Sequence, residues 1–180
     1  SITLTAQVNN YANGGVGFSS GSGSLTTPGG GGKISVYDLD FGSVLLNSGS
    51  ESAILRLLND VEGPADDLNG TFTYYDSLYY SFSGFDDFTD LAAGDSVDGL
   101  TIAFDTATLG SFSDSITLHA TGSNASGSFG TYDGTLFDIV LNIHGTVVSE
   151  QAPVPEPATL LLLGVGLVGL GAMSRKKTKK

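Results

Sequence analysis

The sequence predicts an all-β sandwich followed by a proline linker and a single C-terminal transmembrane helix. Three observations predict it. Short runs rich in Val, Ile, Thr, Tyr and Phe recur along the chain, separated by Gly, Asp, Asn and Ser, and that spacing is the mark of a sandwich. Glycine reaches 26 of 180 residues, and glycine costs a helix about 1 kcal/mol against alanine. No stretch before Ala158 carries a convincing apolar stripe of period 3.6, and the moderate one from Leu45 to Asn59 is set among Gly and Ser that favour a strand.

Residues 1–33 open with ITLTAQV, which alternates as a strand does, and continue as a Gly/Ser-rich loop region with room for one short strand. Residues 34–148 form the sandwich. The runs KISVYDLDF, SAILRLL, GTFTYY, LYYSFSGF, GLTIAFD, DSITLHA and FDIVLNIHGTVV read as its strands. Side chains at i and i+2 share a face, so Leu100, Ile102 and Phe104 are expected inside, as are Phe137, Ile139, Leu141, Ile143 and Val147. In residues 149–157 three prolines fall within five positions. Proline suits neither a sheet interior nor a helix interior, and this stretch is an extended linker.

Ala158 to Met173 is uncharged and mostly apolar. As a helix it would be about 24 Å long, against a hydrocarbon core of about 30 Å, a gap that local thinning and lysine snorkelling close. Residues 158–174 are therefore assigned as the span and residues 175–180 as its cytoplasmic end. A buried core helix is the alternative. The all-round apolar character, the prolines before it and the basic residues after it argue for the membrane.

Charge sets orientation and excludes one class of partner. The net charge is −12, yet Arg175, Lys176, Lys177, Lys179 and Lys180 are five of the seven basic residues. Only Lys33 and Arg56 face the nineteen carboxylates, so the rest of the chain carries about −17. A body so short of cations cannot neutralise phosphates, and nucleic-acid binding is set aside. Basic residues beside a span stay on the cytoplasmic side, so the sandwich faces outward and the chain is exported. The absence of cysteine does not argue against export of a domain this size. The absence of a starting methionine fits removal of a signal peptide.

The tail has a more specific likeness. Val154, Pro155, Glu156 and Pro157, then a short Leu/Gly/Val span, then a basic end, resemble the PEP-CTERM sorting signal. That resemblance implies an exosortase as processing partner and cleavage near Pro-Glu-Pro. It implies transient inner-membrane anchoring, then delivery to the cell surface or the extracellular matrix of an exopolysaccharide-producing, biofilm-forming bacterium. A second resemblance lies in the body. Leu39-Asp40-Phe41-Gly42-Ser43-Val44 with Ser48-Gly49-Ser50, then Leu91 to Ser96, Leu100 to Asp105, Gly110, Ile116 to Leu118 and Leu141 to Val147, are similar to Hydin-type and choice-of-anchor domains. That resemblance implies an immunoglobulin-like sandwich and says nothing about a catalytic site. The chain departs from its pattern at Thr106 or Ala107, where proline is usual, and in a polar insertion from Gly122 to Gly134.

Other motifs have ordinary readings. Gly164-Val165-Gly166-Leu167-Val168-Gly169 matches a dinucleotide fingerprint but lies in the apolar span, not in a βαβ unit. Gly17-Phe18-Ser19-Ser20-Gly21 matches a nucleophile elbow without the strand-to-helix turn that motif needs. Gly29 to Lys33 lacks the Ser or Thr of a phosphate loop. His119 and His144 fall at polar positions of alternating strands and face solvent. No cofactor is implied, and the chain is expected not to be an enzyme.

Two binding readings remain. Asp60, Glu62, Asp66 and Asp67, with Asn69, crowd one loop, and Asp86, Asp87 and Asp90 another. Calcium takes six to eight oxygens and is the cation such loops would hold, although solvated turn carboxylates are the commoner outcome. Tyr74, Tyr75, Tyr79 and Tyr80 bring four of the seven tyrosines together. Tyr75 and Tyr80 are the candidate glycan contacts, since aromatic faces stack on sugars. The alternative puts one tyrosine of each pair in the core. The leading function is a self-assembling, non-enzymatic surface or matrix protein. The alternative is a calcium- or polysaccharide-binding adhesion module anchored permanently in the membrane.

Overall fold

The computed structural model describes residues 2–4, 10–27, 34–123 and 133–150, together with Gly164, Val165 and Leu167. Ten strands follow one another: β1 (Gly14–Gly21), β2 (Ser24–Thr26), β3 (Ile34–Leu45), β4 (Glu51–Asn59), β5 (Asp67–Thr73), β6 (Tyr80–Ser83), β7 (Phe88–Leu91), β8 (Ser96–Phe104), β9 (Gly110–Ser123) and β10 (Asp133–Val148). They form a four-stranded sheet in the order β1-β4-β8-β6 and a six-stranded sheet in the order β2-β3-β10-β9-β5-β7. From β3 to β9 the chain changes sheet at each step, so consecutive strands there face each other across the core instead of pairing. Every pairing is antiparallel except that of β3 with β10. The result is an immunoglobulin-like sandwich.

Alternation places the core. Leu100, Ile102 and Phe104 of β8 are buried, and so are Ile139, Leu141, Ile143 and Val147 of β10, as expected. They meet Leu39 and Phe41 of β3, Leu55 and Leu57 of β4, and Ile116 and Leu118 of β9 in one cluster. The side chain of Phe137 lies outside the described residues. Leu45–Asn59 resolves in favour of β structure, since Glu51–Asn59 is β4 with alternating burial.

Three departures from the sequence reading have physical reasons. Two strands occur in the Gly/Ser-rich region, β1 and β2, because pairing with β4 and β3 outweighs the poor strand propensity of glycine. Ile2, Thr3 and Leu4 belong to no strand, and residues 5–9 of the expected first strand lie outside the described residues. The segment FTDL, expected as part of an acidic loop, is strand β7, with Phe88 and Leu91 packed against the core.

Gly42 explains a local bend. It has φ of 69°, and its N–H donates to Asp40 Oδ1 at 2.7 Å. The β3–β10 register slips beside it, between His144 and Thr146, which is the geometry of a bulge.

By contact density the chain divides into Ser1–Ser149 and Glu150–Lys180. Gly164, Val165 and Leu167 have helical backbone. Among the described residues no helix is long and apolar enough to cross a membrane. The Pro-Glu-Pro segment and the basic end lie outside the described residues.

Candidate functional site

The registers give the sandwich two distinct ends. At one end lie the β3–β4 turn, the β5–β6 connection, the β8–β9 loop and the end of β10, where the chain leaves the domain. Backbone bonds knit these together: Leu46 N–H to the Val148 carbonyl at 2.8 Å, Asn47 N–H to that of Thr106 at 2.9 Å, and Asp105 N–H to that of Tyr79 at 2.8 Å. Thr106 is buried, and its hydroxyl donates to the Gly49 carbonyl at 2.9 Å.

The candidate tyrosines lie at this end and separate in role. Tyr75 is 87% exposed in the β5–β6 connection, whereas Tyr80 is 3% exposed. The Tyr80 ring stacks on Phe104 with centroids 5.0 Å apart, and its hydroxyl donates to the Phe112 carbonyl at 3.0 Å. Burial pushes its hydroxyl pKa upward, with Asp114 and Asp40 adding to the rise. A ring that stacks on a sugar must offer a face to solvent, so Tyr80 is not a glycan contact. Adjacent tyrosines carry no contrast in hydrophobicity, which is why the sequence left the inward one ambiguous.

The acidic loop lies at the opposite end. Asn59, fully buried, organises it. Its Nδ2 donates to the carbonyls of Asp66 and Leu91, both at 3.0 Å, and its Oδ1 accepts from Asn13 N–H at 3.0 Å. Asp66 is buried, and Asp60 is exposed. The Asp67 carboxyl is pushed up by desolvation first, then by Asp90 and Asp66. Among the described residues no group of three or more His, Cys, Asp or Glu side chains is placed to hold a metal ion. The main-chain carbonyls of Asp60, Glu62 and Asp66 accept from the side-chain amides of Asn13, Asn10 and Asn59.

The outer face of the six-stranded sheet is polar. His119 Nδ1 meets Asp138 Oδ1 at 2.8 Å, and its Nε2 lies 3.3 Å from Thr73 Oγ1. His144 Nε2 lies 3.7 Å from Asp38 Oδ1, which also accepts from Asn142 Nδ2 at 2.9 Å. Both histidines are half exposed, as their strand positions predict. The order hydroxyl, imidazole, carboxylate occurs in hydrolases. Here Thr73 Oγ1 also bonds the Thr117 carbonyl at 3.3 Å, and the three groups lie exposed across neighbouring strands. These cross-strand pairs are invisible without the register, because 19 residues separate His119 from Asp138.

Between the sheets a cavity of about 20 Å³ is lined by apolar side chains, Leu55, Phe72, Leu100 and Ile116 among them. That is room for about one water, far below the roughly 300–1,000 Å³ of a ligand pocket. It is a packing void. The GFSSG segment lies on strand β1 and its end, with no strand-to-helix turn, so it is no nucleophile elbow.

Among solved structures, the chain is similar to the ASH/PapD-like domain of human CEP192 (PapD-like domain 7), at 9% identity and a TM-score of 0.40, over 72% of this chain and 89% of that one. It is also similar to the N-terminal domain of PorA, at 13% identity and a TM-score of 0.26, over 59% of this chain and 87% of that one. No curated protein matches the chain by sequence. The family model of the PEP-CTERM protein-sorting motif matches residues 153–176, which places a signal for export and exosortase processing at the end of an all-β domain.

Proposed function

We propose that this chain is a non-enzymatic protein of the bacterial surface or extracellular matrix, delivered through its C-terminal sorting signal. The observation that carries the reading is the sorting motif at residues 153–176. In this reading residues 158–174 hold the exported chain in the inner membrane, and Arg175 to Lys180 stop transfer. An exosortase cuts near Pro155-Glu156-Pro157 and frees the sandwich to join an exopolysaccharide-rich matrix. Two features of the described residues support a structural role: the cavity between the sheets is a packing void, and the hydroxyl–histidine–carboxylate group is solvent-exposed.

Intact-mass spectrometry of the protein from its own cells, membrane and medium taken separately, tests the reading. A mass ending near Pro157 in the surface or medium fraction is expected. A full-length mass confined to membranes would make the tail a permanent anchor and overturn it.

Self-assembly has its own support. Ile2 and Leu4 are 91% and 92% exposed, and among the described residues β1 is an edge strand whose partner is β4. A glycine-rich edge strand offers unpaired backbone groups to a neighbour's extended segment. Sedimentation should show concentration-dependent assembly that deletion of residues 1–9 removes. For glycan binding Tyr75 remains the exposed candidate of the original pair.

A further inference from the structure

The end of the sandwich from which the chain leaves is unlike the rest of its surface. Val148, the last residue of β10, pairs with Leu45 of β3, and Leu109 directly precedes Gly110, the partner of Val147. These three close the outer face of the six-stranded sheet with exposures of 37%, 45% and 53%. Tyr75 and Leu78 of the β5–β6 connection lie at the same end, each 87% exposed. Beneath them the end is firm. Tyr79 stacks on Phe112 at 3.9 Å, Phe104 packs on Phe41 at 5.5 Å, and the backbone bonds described above join the loops. Five large apolar side chains thus stand outward on a rigid base.

The acidic loop with Asp60, Glu62, Asp66 and Asp67 is at the far end. The near end has Glu51, Asp76, Asp105 and Glu150 but no lysine or arginine among its described residues. Nothing there draws an anionic headgroup, so its contact with lipid rests on apolar area. The tether identifies that partner. Only residues 149–157 separate the domain from the apolar segment, and nine residues reach at most about 30 Å. A surface held that close meets lipid at an effective concentration that makes weak apolar contact sufficient. Tyrosine and leucine suit the interface, with an apolar body and, for tyrosine, a wet polar tip.

We propose that this end of the sandwich is a lipid-facing surface, with Leu45, Tyr75, Leu78, Leu109 and Val148 entering the interfacial layer of the anchoring membrane before processing. The proposal rests on the reading of the tail as a membrane-held sorting signal. Its consequence is that the linker emerges at the lipid surface, beside a membrane-embedded processing enzyme, and that processing releases the domain from a contact too weak to persist untethered.

The chain has no tryptophan, so a single introduced one reports its own surroundings. Leu78→Trp, Tyr75→Trp and, at the far end, Glu62→Trp are made in the full chain. Each is reconstituted into phosphatidylethanolamine–phosphatidylglycerol vesicles carrying a doxyl quencher near the headgroup. Flotation measures anchoring, and emission measures contact. Expected is a blue shift and loss of most emission for Leu78→Trp and Tyr75→Trp, with Glu62→Trp unchanged. Flotation with solvent-like, unquenched emission from both near-end variants overturns this proposal alone. Failure to float overturns the anchor reading and this proposal with it. A blue shift caused by soluble exopolysaccharide and not by vesicles overturns it in favour of a glycan surface.

Discussion

Gly145 of β10 faces the ring of Phe104 on β8 so closely that a Cβ at Gly145 would lie 2.5 Å from Phe104 Cε1. The two residues belong to different sheets, and the missing side chain is what lets the sheets close there. Phe104 is also packed by Phe41, Tyr80 and Phe112, so the ring has little freedom to retreat. Gly145→Ala should cost about 1–3 kcal/mol, the usual cost of overpacking a filled core. Chemical denaturation measures it. Adding Phe104→Leu should recover part of the loss in a double-mutant cycle, and full additivity would mean that the two sites are not in contact.

Asn59 supports a second prediction. Its side chain satisfies three backbone groups drawn from the approach to β1, the start of β5 and the end of β7. Asn59→Leu keeps the volume but leaves the Asn13 N–H and the carbonyls of Asp66 and Leu91 unpaired. Each unsatisfied buried group costs about 1–3 kcal/mol, so the loss from three should be at least about 3 kcal/mol. Asn59→Ala should cost a similar amount. Amide exchange of Asn13 should accelerate in both variants before global unfolding.

Tyr80 and Tyr75 should behave oppositely. Tyr80→Phe removes one hydrogen bond, for about 1 kcal/mol, and Tyr80→Ala opens a core cavity, for about 3–5 kcal/mol. Tyr75→Ala should change stability by less than about 0.5 kcal/mol. On a polysaccharide column Tyr80→Phe should leave retention as it is, and Tyr75→Ala tests whether the exposed ring binds. Because burial raises the Tyr80 pKa in the folded state, its contribution is complete below pH ~10, where the unfolded side chain titrates, and declines in stronger alkali. Tyr80→Phe should show a shallower alkaline loss of stability.

These predictions show what kind of information the sequence held. The inward faces of β8 and β10 were legible because Leu, Ile and Phe alternate there with polar residues, and period two is a local signal. The sorting signal was legible for a related reason: its order and composition lie along the chain, so no tertiary contact is needed to see it. Strand β1 was hidden because Gly and Ser fill six of the eight positions of GGVGFSSG and carry no strand preference, and β4 supplies the template. The inward turn of Tyr80 and the pairing of His119 with Asp138 were hidden because both depend on register between distant segments. The same limit applied to the acidic loop. Proximity in sequence drew attention to the carboxylates, whereas the contacts that order the loop run from the side-chain amides of Asn10, Asn13 and Asn59 to its main-chain carbonyls.

Asp67 gives a prediction with a definite sign in pH. Its carboxyl lies near Asp90 and Asp66 in a partly desolvated position, and all three influences raise its pKa above the ordinary 3.8. The folded state therefore holds this proton more tightly than the unfolded chain does. The stabilisation is full below pH ~3.8 and is lost as pH rises through the folded-state pKa. Above the folded-state pKa the group is ionised in both states, and its charge burdens only the folded one. Asp67→Asn removes that burden while keeping the shape, and among the described residues Asp67, at the head of β5, makes no side-chain hydrogen bond that the change would break. The variant should melt above the parent at pH 7, and the gap should shrink on acidification and vanish near pH 3. A gap of equal size at pH 7 and pH 3 would assign the effect to packing and exclude the charge explanation.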